Sequence, residues 1–214
     1  MRKLFRVLFW VALVLGVLIG LSRATALRWW RVPHDAPFFT ASLSPSIAPG
    51  DLILLWRLTK PGFGDLVMCP EPEDESRVVI GRLVGEERDE LTIVGAKITV
   101  NGKTQDVEGN CAERTFLEHD PETGVEVEQH CSLEAIGGVT HLRGEIPPRA
   151  RAPREVKQTV PDGHVWLVSD NRLFPYDSRD FGPVLRETCT ETVFFRLVGA
   201  GGYFDTARRN QVIR

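Results

Sequence analysis

The chain of 214 residues has little charge of one sign: Lys+Arg 26 against Asp+Glu 29 leaves a formal net charge of −3. No broad basic field exists to attract a polyanion, so nucleic acid is excluded as the main partner. Long apolar runs are also scarce. The mean hydropathy is slightly negative, which excludes a polytopic membrane protein and leaves room for a single span. Cysteine is limited to four residues, none in C-x-x-C spacing, which weighs against a structural zinc centre. Internal repeats are lacking, and beyond the N-terminus no segment makes a convincing helix. Glycine and proline are plentiful, at 19 and 14, as in a turn-rich β protein. With 43% apolar and 26% charged residues, the composition is that of a globular chain.

The one long apolar run is Leu4–Leu21, interrupted only by Arg6. Eighteen helical residues span about 27 Å, close to a hydrocarbon core of roughly 30 Å. Arg2 and Lys3 precede the run, and Trp29 and Trp30 follow where an interfacial aromatic belt would sit. Ala24-Thr25-Ala26 has the small-x-small form of a cleavage site, so a removable signal peptide is the alternative. The run exceeds the usual signal-peptide length of about 7–15 apolar residues, which favours an uncleaved span. Residues 1–31 therefore read as an anchor with an interfacial segment, and a lipid bilayer as its partner. Arg23, Arg28 and Arg31 balance the basic residues on the other side, so charge alone leaves the orientation open.

After Pro33 the chain breaks into β-type runs: Asp51–Trp56, Asp65–Met68, Arg77–Val84, Leu91–Val94, His164–Val168 and Thr192–Val198. Lys97–Val100 leads into Asn101-Gly102, a strong hairpin signal. The expected fold is mainly β, a single N-terminal transmembrane helix followed by a compact antiparallel barrel or sandwich. Residues 32–105 and 161–214 form its two parts. Between them, residues 106–160 read as an insertion, acidic up to Glu134 with Arg114 its only Arg or Lys, then proline-rich and basic over Glu145–Arg154. It is expected to be a loop-rich, solvated subdomain.

Four cysteines allow three pairings. Cys111 and Cys131 bracket the acidic part, and joining them would remove roughly 3 kcal/mol of unfolded-state entropy in the loop-closure model. Cys69 and Cys189 would then remain for each other. A zinc site using His119, His130 or His141 competes with that reading, and a cytosolic location would defeat the disulfides.

Two short segments carry candidate chemistry. In the first, Thr40-Ala41-Ser42-Leu43-Ser44-Pro45-Ser46 leads to Gly50-Asp51, placing small hydroxyl residues on what reads as an extended segment turning at Pro45. The second runs Ser169-Asp170-Asn171-Arg172, then Leu173-Phe174-Pro175-Tyr176, then Asp177-Ser178-Arg179 and on to Gly182. It is a polar loop after a strand, in which Asp and Arg can brace one another by charge-assisted hydrogen bonds. Each taken alone also fits an ordinary turn.

In this order after an apolar span, the two segments resemble those of the type I signal peptidases, membrane-anchored serine endopeptidases that remove signal peptides from exported proteins. Ser42-Leu43-Ser44-Pro45-Ser46 with Gly50-Asp51 is similar to the family's S-M-x-P-T and G-D, and the second segment is similar to G-D-N-R-x-x-S-x-D-S-R-x-x-G. Gly64-Asp65-Leu66-Val67 and Val100-Asn101-Gly102 resemble two further family signatures. The resemblance implies a β body on the outer, periplasmic or extracellular, face of the membrane. It implies Ser42 as nucleophile, Thr40 with the Ser42 backbone N–H as the oxyanion hole, and Asp170, Asn171, Arg172, Asp177 and Arg179 as a supporting loop. The implied partner is an extended preprotein with small residues before its cleavage site. No cofactor or metal is implied.

The departures concern the base. The family activates its Ser with a Lys amine kept neutral by burial. The Lys of the family's K-R-x-x-G strand falls at Gly81 in Gly81-Arg82-Leu83-Val84-Gly85, and the Ser that orients it falls at Pro175. Lys60, Lys97, Lys103, Lys157 and His164 remain as candidate substitutes. The expected activity is signal-peptide removal. The alternative is a catalytically impaired homologue that binds extended exported chains without cleaving them.

Overall fold

The computed structural model describes residues 2–145 and 155–213. Helix α1 (Arg2–Thr25) is the apolar run extended at both ends, about 36 Å long at 1.5 Å per residue. Its membrane-length window, Lys3–Arg23, is not buried against the rest of the chain. In this helix apolar side chains point outward on all sides, the pattern of a helix solvated by lipid. Thr25 is its last residue, and the Ala26 amide still bonds back to the Ser22 carbonyl. The small-x-small run therefore sits on the final helical turn.

Strand β1 (Leu27–Arg31) follows at once and pairs with β2 (Leu52–Trp56). Between them lies α2 (Pro37–Ser42), which corrects the expectation of an extended segment here. Pro37 is pre-set for a first helical turn. Phe39 and Leu43, one turn apart, both enter the core.

Next come β3 (Leu66–Pro70), β4 (Val78–Gly85), β5 (Glu90–Val94), β6 (Lys97–Val100) and β7 (Lys103–Thr104). The inserted part holds β8 (Asp106–His119), β9 (Glu126–Ile136) and β10 (Val139–Glu145). The core resumes with β11 (Glu155–Thr159), β12 (His164–Val168), α3 (Ser178–Phe181), β13 (Val184–Leu185), β14 (Glu191–Val198) and β15 (Gln211–Val212). The main sheet runs β1-β2-β14-β3-β4-β12-β13, with β15 also on β14; a second runs β11-β5-β6-β7. All their pairings are antiparallel, as expected for this mainly β fold. The Asn101-Gly102 hairpin forms, with Asn101 and Gly102 both at positive φ.

One core packs Ile53, Leu55, Met68 and Ile80 beneath α2. A second gathers Val84, Ile93, Ile98 and Trp166, and a third Val67, Val79, Leu83 and Leu167. Cys69 and Cys189 are joined across the third, with Cα atoms 4.5 Å apart, and Cys111 to Cys131, 5.5 Å apart. All four thiols are therefore committed, and the zinc reading gives way.

The insertion is more ordered than a loop-rich segment. Its three strands form a separate sheet, β10-β9-β8. Along β9 exposed Glu126, Glu128 and His130 alternate with buried Gln129 and Cys131, and from Ser132 to Ile136 no residue is exposed, Glu134 included. The turn joining β9 to β10 is clamped to the core through Gly64 and Gly137, both at positive φ. A Cβ on either would collide with the carbonyl of Ile136 or Phe63 opposite. The proline-rich run read from the sequence at 145–154 lies, beyond Glu145, outside the described residues.

Candidate active site

Ser42 ends α2 with none of its surface exposed. Its hydroxyl donates to the Phe39 carbonyl at 2.7 Å. The Thr40 hydroxyl donates likewise to the Ala36 carbonyl at 3.0 Å. Both hydroxyls are turned back on their own helix, the local bond that Ser and Thr make inside helices. Thr40 stands two residues before Ser42 on the same helix, and its hydroxyl is not aimed as an oxyanion donor.

The loop after β12 grips this segment from the other side. The Asn171 backbone N–H donates to the Ser42 carbonyl at 3.0 Å, and its side-chain amide to the Ala41 carbonyl at 2.9 Å. Asp170 takes two bonds from the Arg82 guanidinium, at 2.8 and 3.0 Å, and one from the Ser46 hydroxyl at 2.5 Å. Asp177 caps α3 and accepts from the Ser169 N–H at 2.7 Å and from Arg179. Of the residues singled out from sequence, Asp170, Asn171, Arg172 and Asp177 are buried, and Arg179 is half-buried with its side chain against Asp177. They brace the Ser42 segment, as a polar loop can only when its charges are paired.

The sequence reading missed the partners that the insertion brings. Glu134 on β9 pairs with Arg172 and, at 3.0 Å, with Arg143 on β10. His141 on β10 lies 3.2 Å from Glu134 and 3.8 Å from Asp170, wholly enclosed. Glu118 on β8 accepts a bond from the Ser44 hydroxyl. The β10 backbone also joins the loop directly: the Gly144 N–H donates to the Asp170 carbonyl, and the Arg172 N–H to the Gly144 carbonyl. No signal in the sequence pointed to this: alternation along Glu126–Ile136 puts Glu134 on the face of Glu126, Glu128 and His130, opposite Val127, Cys131 and Leu133, which reads as solvated.

Burial alone would raise both carboxyls, but their cationic neighbours win. Arg172, His141 and Arg143 hold Glu134 at about 2, and Arg82, His141 and the Ser46 bond hold Asp170 at about 2. Burial, then the Arg82 charge, pushes His141 below its ordinary value. The folded chain therefore binds fewer protons at His141 than the unfolded chain does. Stability is complete above about pH 6.5 and declines as pH falls below it. Glu134 and Asp170 add a second loss as pH falls from about 4 towards 2. Melting temperature measured from pH 8 to pH 5 should decline, and His141→Gln should flatten that decline.

Position 81 lies on β4 opposite Val67. A Cβ there would meet the Leu167 Cβ at 3.0 Å. Pro175 precedes Tyr176, whose hydroxyl donates to Glu71 at 2.6 Å; burial, then that bond, raises it to about 12. Among the described residues, no amine, imidazole or carboxylate hydrogen-bonds the Ser42 hydroxyl. Lys60, Lys97, Lys103 and Lys157 are exposed, and His164 bonds its Nδ1 to the Asp162 carbonyl. Nor do the described residues hold a group of three metal-ligating side chains.

A membrane-length helix, an antiparallel β body, and a serine gripped by an Asp-Asn-Arg loop define the class. The family model described as "Signal peptidase, peptidase S26" matches residues 5–198, and the chain belongs to that family. It is 26% identical over 122 residues to "Signal peptidase I V" of Bacillus subtilis (strain 168), covering 56% of each chain. It is 28% identical over 149 residues to "Mitochondrial ATP-independent inner membrane protease subunit 1a" of Arabidopsis thaliana, covering 65% of this chain and 58% of that one. The chain thus spans little more than half the length of these relatives.

Proposed function

We propose that the chain is a signal-peptidase-type protein that receives extended preprotein segments at Ser42, on the outer face of the membrane, with cleavage impaired by the missing base. The observation that carries this is the contrast between scaffold and base. Arg82, Asp170, Asn171 and Ser42 are all held in one buried array, while Gly81, the position to which the family resemblance assigns the amine, has no side chain.

The chemistry would be acyl transfer. The Ser42 Oγ attacks a peptide carbonyl, its proton passes to a base, and the acyl-enzyme is then hydrolysed. Without the base the proton has no acceptor, a loss of typically 10²–10⁴-fold. Attack also requires the Ser42 hydroxyl to leave the Phe39 carbonyl and meet solvent. The two disulfides support an oxidising, outer compartment.

The purified full chain in detergent should bind a preprotein ending its signal in Ala-x-Ala, measured by fluorescence anisotropy, and cleave it only slowly. Ser42→Ala should remove the residual cleavage and preserve binding. Cleavage that persists in Ser42→Ala refutes the nucleophile, and absence of binding refutes the substrate class.

A further inference from the structure

We infer that Glu134, on the inserted sheet, is a positioning residue for Ser42, so that the insertion is a working part of the site. This rests on Ser42 being the nucleophile. The link is continuous and short. Glu134, with none of its side chain exposed, pairs with Arg172, itself 1% exposed. The Arg172 N–H bonds the Gly144 carbonyl on β10 at 2.8 Å, and Gly144 forms a bridge with Asn171. Asn171 then holds both carbonyls at the end of α2, those of Ala41 and Ser42. No other carboxylate lies within ion-pair distance of Arg172 among the described residues.

The surroundings explain why one carboxylate has this leverage. Around His141 stand Arg82 from β4, Arg143 and Glu145 from β10, Glu134 from β9, and Asp170 and Arg172 from the loop after β12. With His141 neutral, three guanidiniums face three carboxylates. Removing Glu134 leaves Arg143 with Glu145, 28% exposed, and leaves Arg172 with no carboxylate at ion-pair distance among the described residues. A buried guanidinium without its partner seeks water, and here it would take the Asn171 loop with it.

The test uses the full chain in detergent with hydrogen exchange read at the Asn171 amide. Glu134→Gln should speed that exchange by about tenfold or more and weaken preprotein binding, while amides of β2 and β14 keep their protection. Glu134→Asp, which retains the charge, should restore a substantial part of both. A uniform loss of protection across the chain, or no recovery in Glu134→Asp, would reduce Glu134 to a general stabiliser and overturn the inference. Should Glu134→Gln fail to fold, Arg172→Lys, which keeps the charge but loses the fork, reads the same link. If the unaltered chain binds no preprotein yet Asn171 exchange responds as described, the positioning stands and the substrate reading falls. If binding occurs and Glu134→Gln changes neither binding nor exchange, the positioning falls alone.

Discussion

Installing Lys at position 81 together with Ser at position 175 should raise preprotein cleavage by about 10²-fold or more over the unaltered chain. That is the lower end of what a positioned general base contributes. Position 81 faces the cluster of Val79, Leu83 and Leu167, an apolar setting that disfavours a charged ammonium and keeps the amine able to accept a proton. Burial alone does not aim the amine, and hence Pro175→Ser is included: a hydroxyl in place of a ring that cannot donate. The obstacle is steric. The new Cβ meets the Leu167 Cβ at 3.0 Å, so β12 must give by a few tenths of an ångström, at a cost of about 1–3 kcal/mol for overpacking. Leu167→Ala in the same background relieves that contact, though it opens space elsewhere. The readout is Ser42-dependent turnover. If the double variant melts like the parent and still shows no gain, with or without Leu167→Ala, preprotein is not presented to Ser42.

Much of the main sheet was legible because its physics is local. Branched runs such as Arg77–Val84 and the Asn101-Gly102 turn carry their structure in adjacent residues, and β4 and the hairpin appear where those signals fall. The apolar run needed nothing beyond length and uniformity. The short helix before Ser42 was not legible in the same way. Pro37 reads as a turn as readily as a helix start, and the burial of Phe39 and Leu43 that stabilises the helix comes from strands far along the chain. The insertion was misjudged in texture for a related reason. Its acidity suggested solvation, yet Glu134 is neutralised by Arg143 nine residues away and Arg172 on another element. At the site, the supporting Asp and Arg positions were legible through a pattern, but their partners were not. Arg82 meets Asp170 across 88 residues, a pairing that only the register of β4 beside β12 creates.

That pairing sets the largest expected loss of stability. Asp170→Asn should lower folding stability by about 3–5 kcal/mol, the usual cost of removing one partner from a buried ion pair. Arg82 has none of its side chain exposed and Asp170 1%, so water cannot replace the missing charge. The cost has a second part: the Ser46 hydroxyl bonds the same carboxylate, and an amide keeps only one acceptor oxygen for the guanidinium and the hydroxyl together. Arg82→Met should cost a similar amount, by leaving Asp170 charged with His141 and the Ser46 hydroxyl as its remaining side-chain contacts among the described residues. The double variant Arg82→Met with Asp170→Leu should be less damaged than either single one, since no buried charge is stranded and two apolar side chains can pack. Denaturant unfolding of all three in detergent measures this directly. Equal, additive losses would mean that the pair is solvated in the folded chain and does not hold the Ser42 loop. Non-additivity of 1 kcal/mol or more, on the scale of about 0.5–3 kcal/mol seen for residues in contact, would mean that the loop stands on this one interaction, and that Ser42 keeps its place through a charge pair rather than through its own helix.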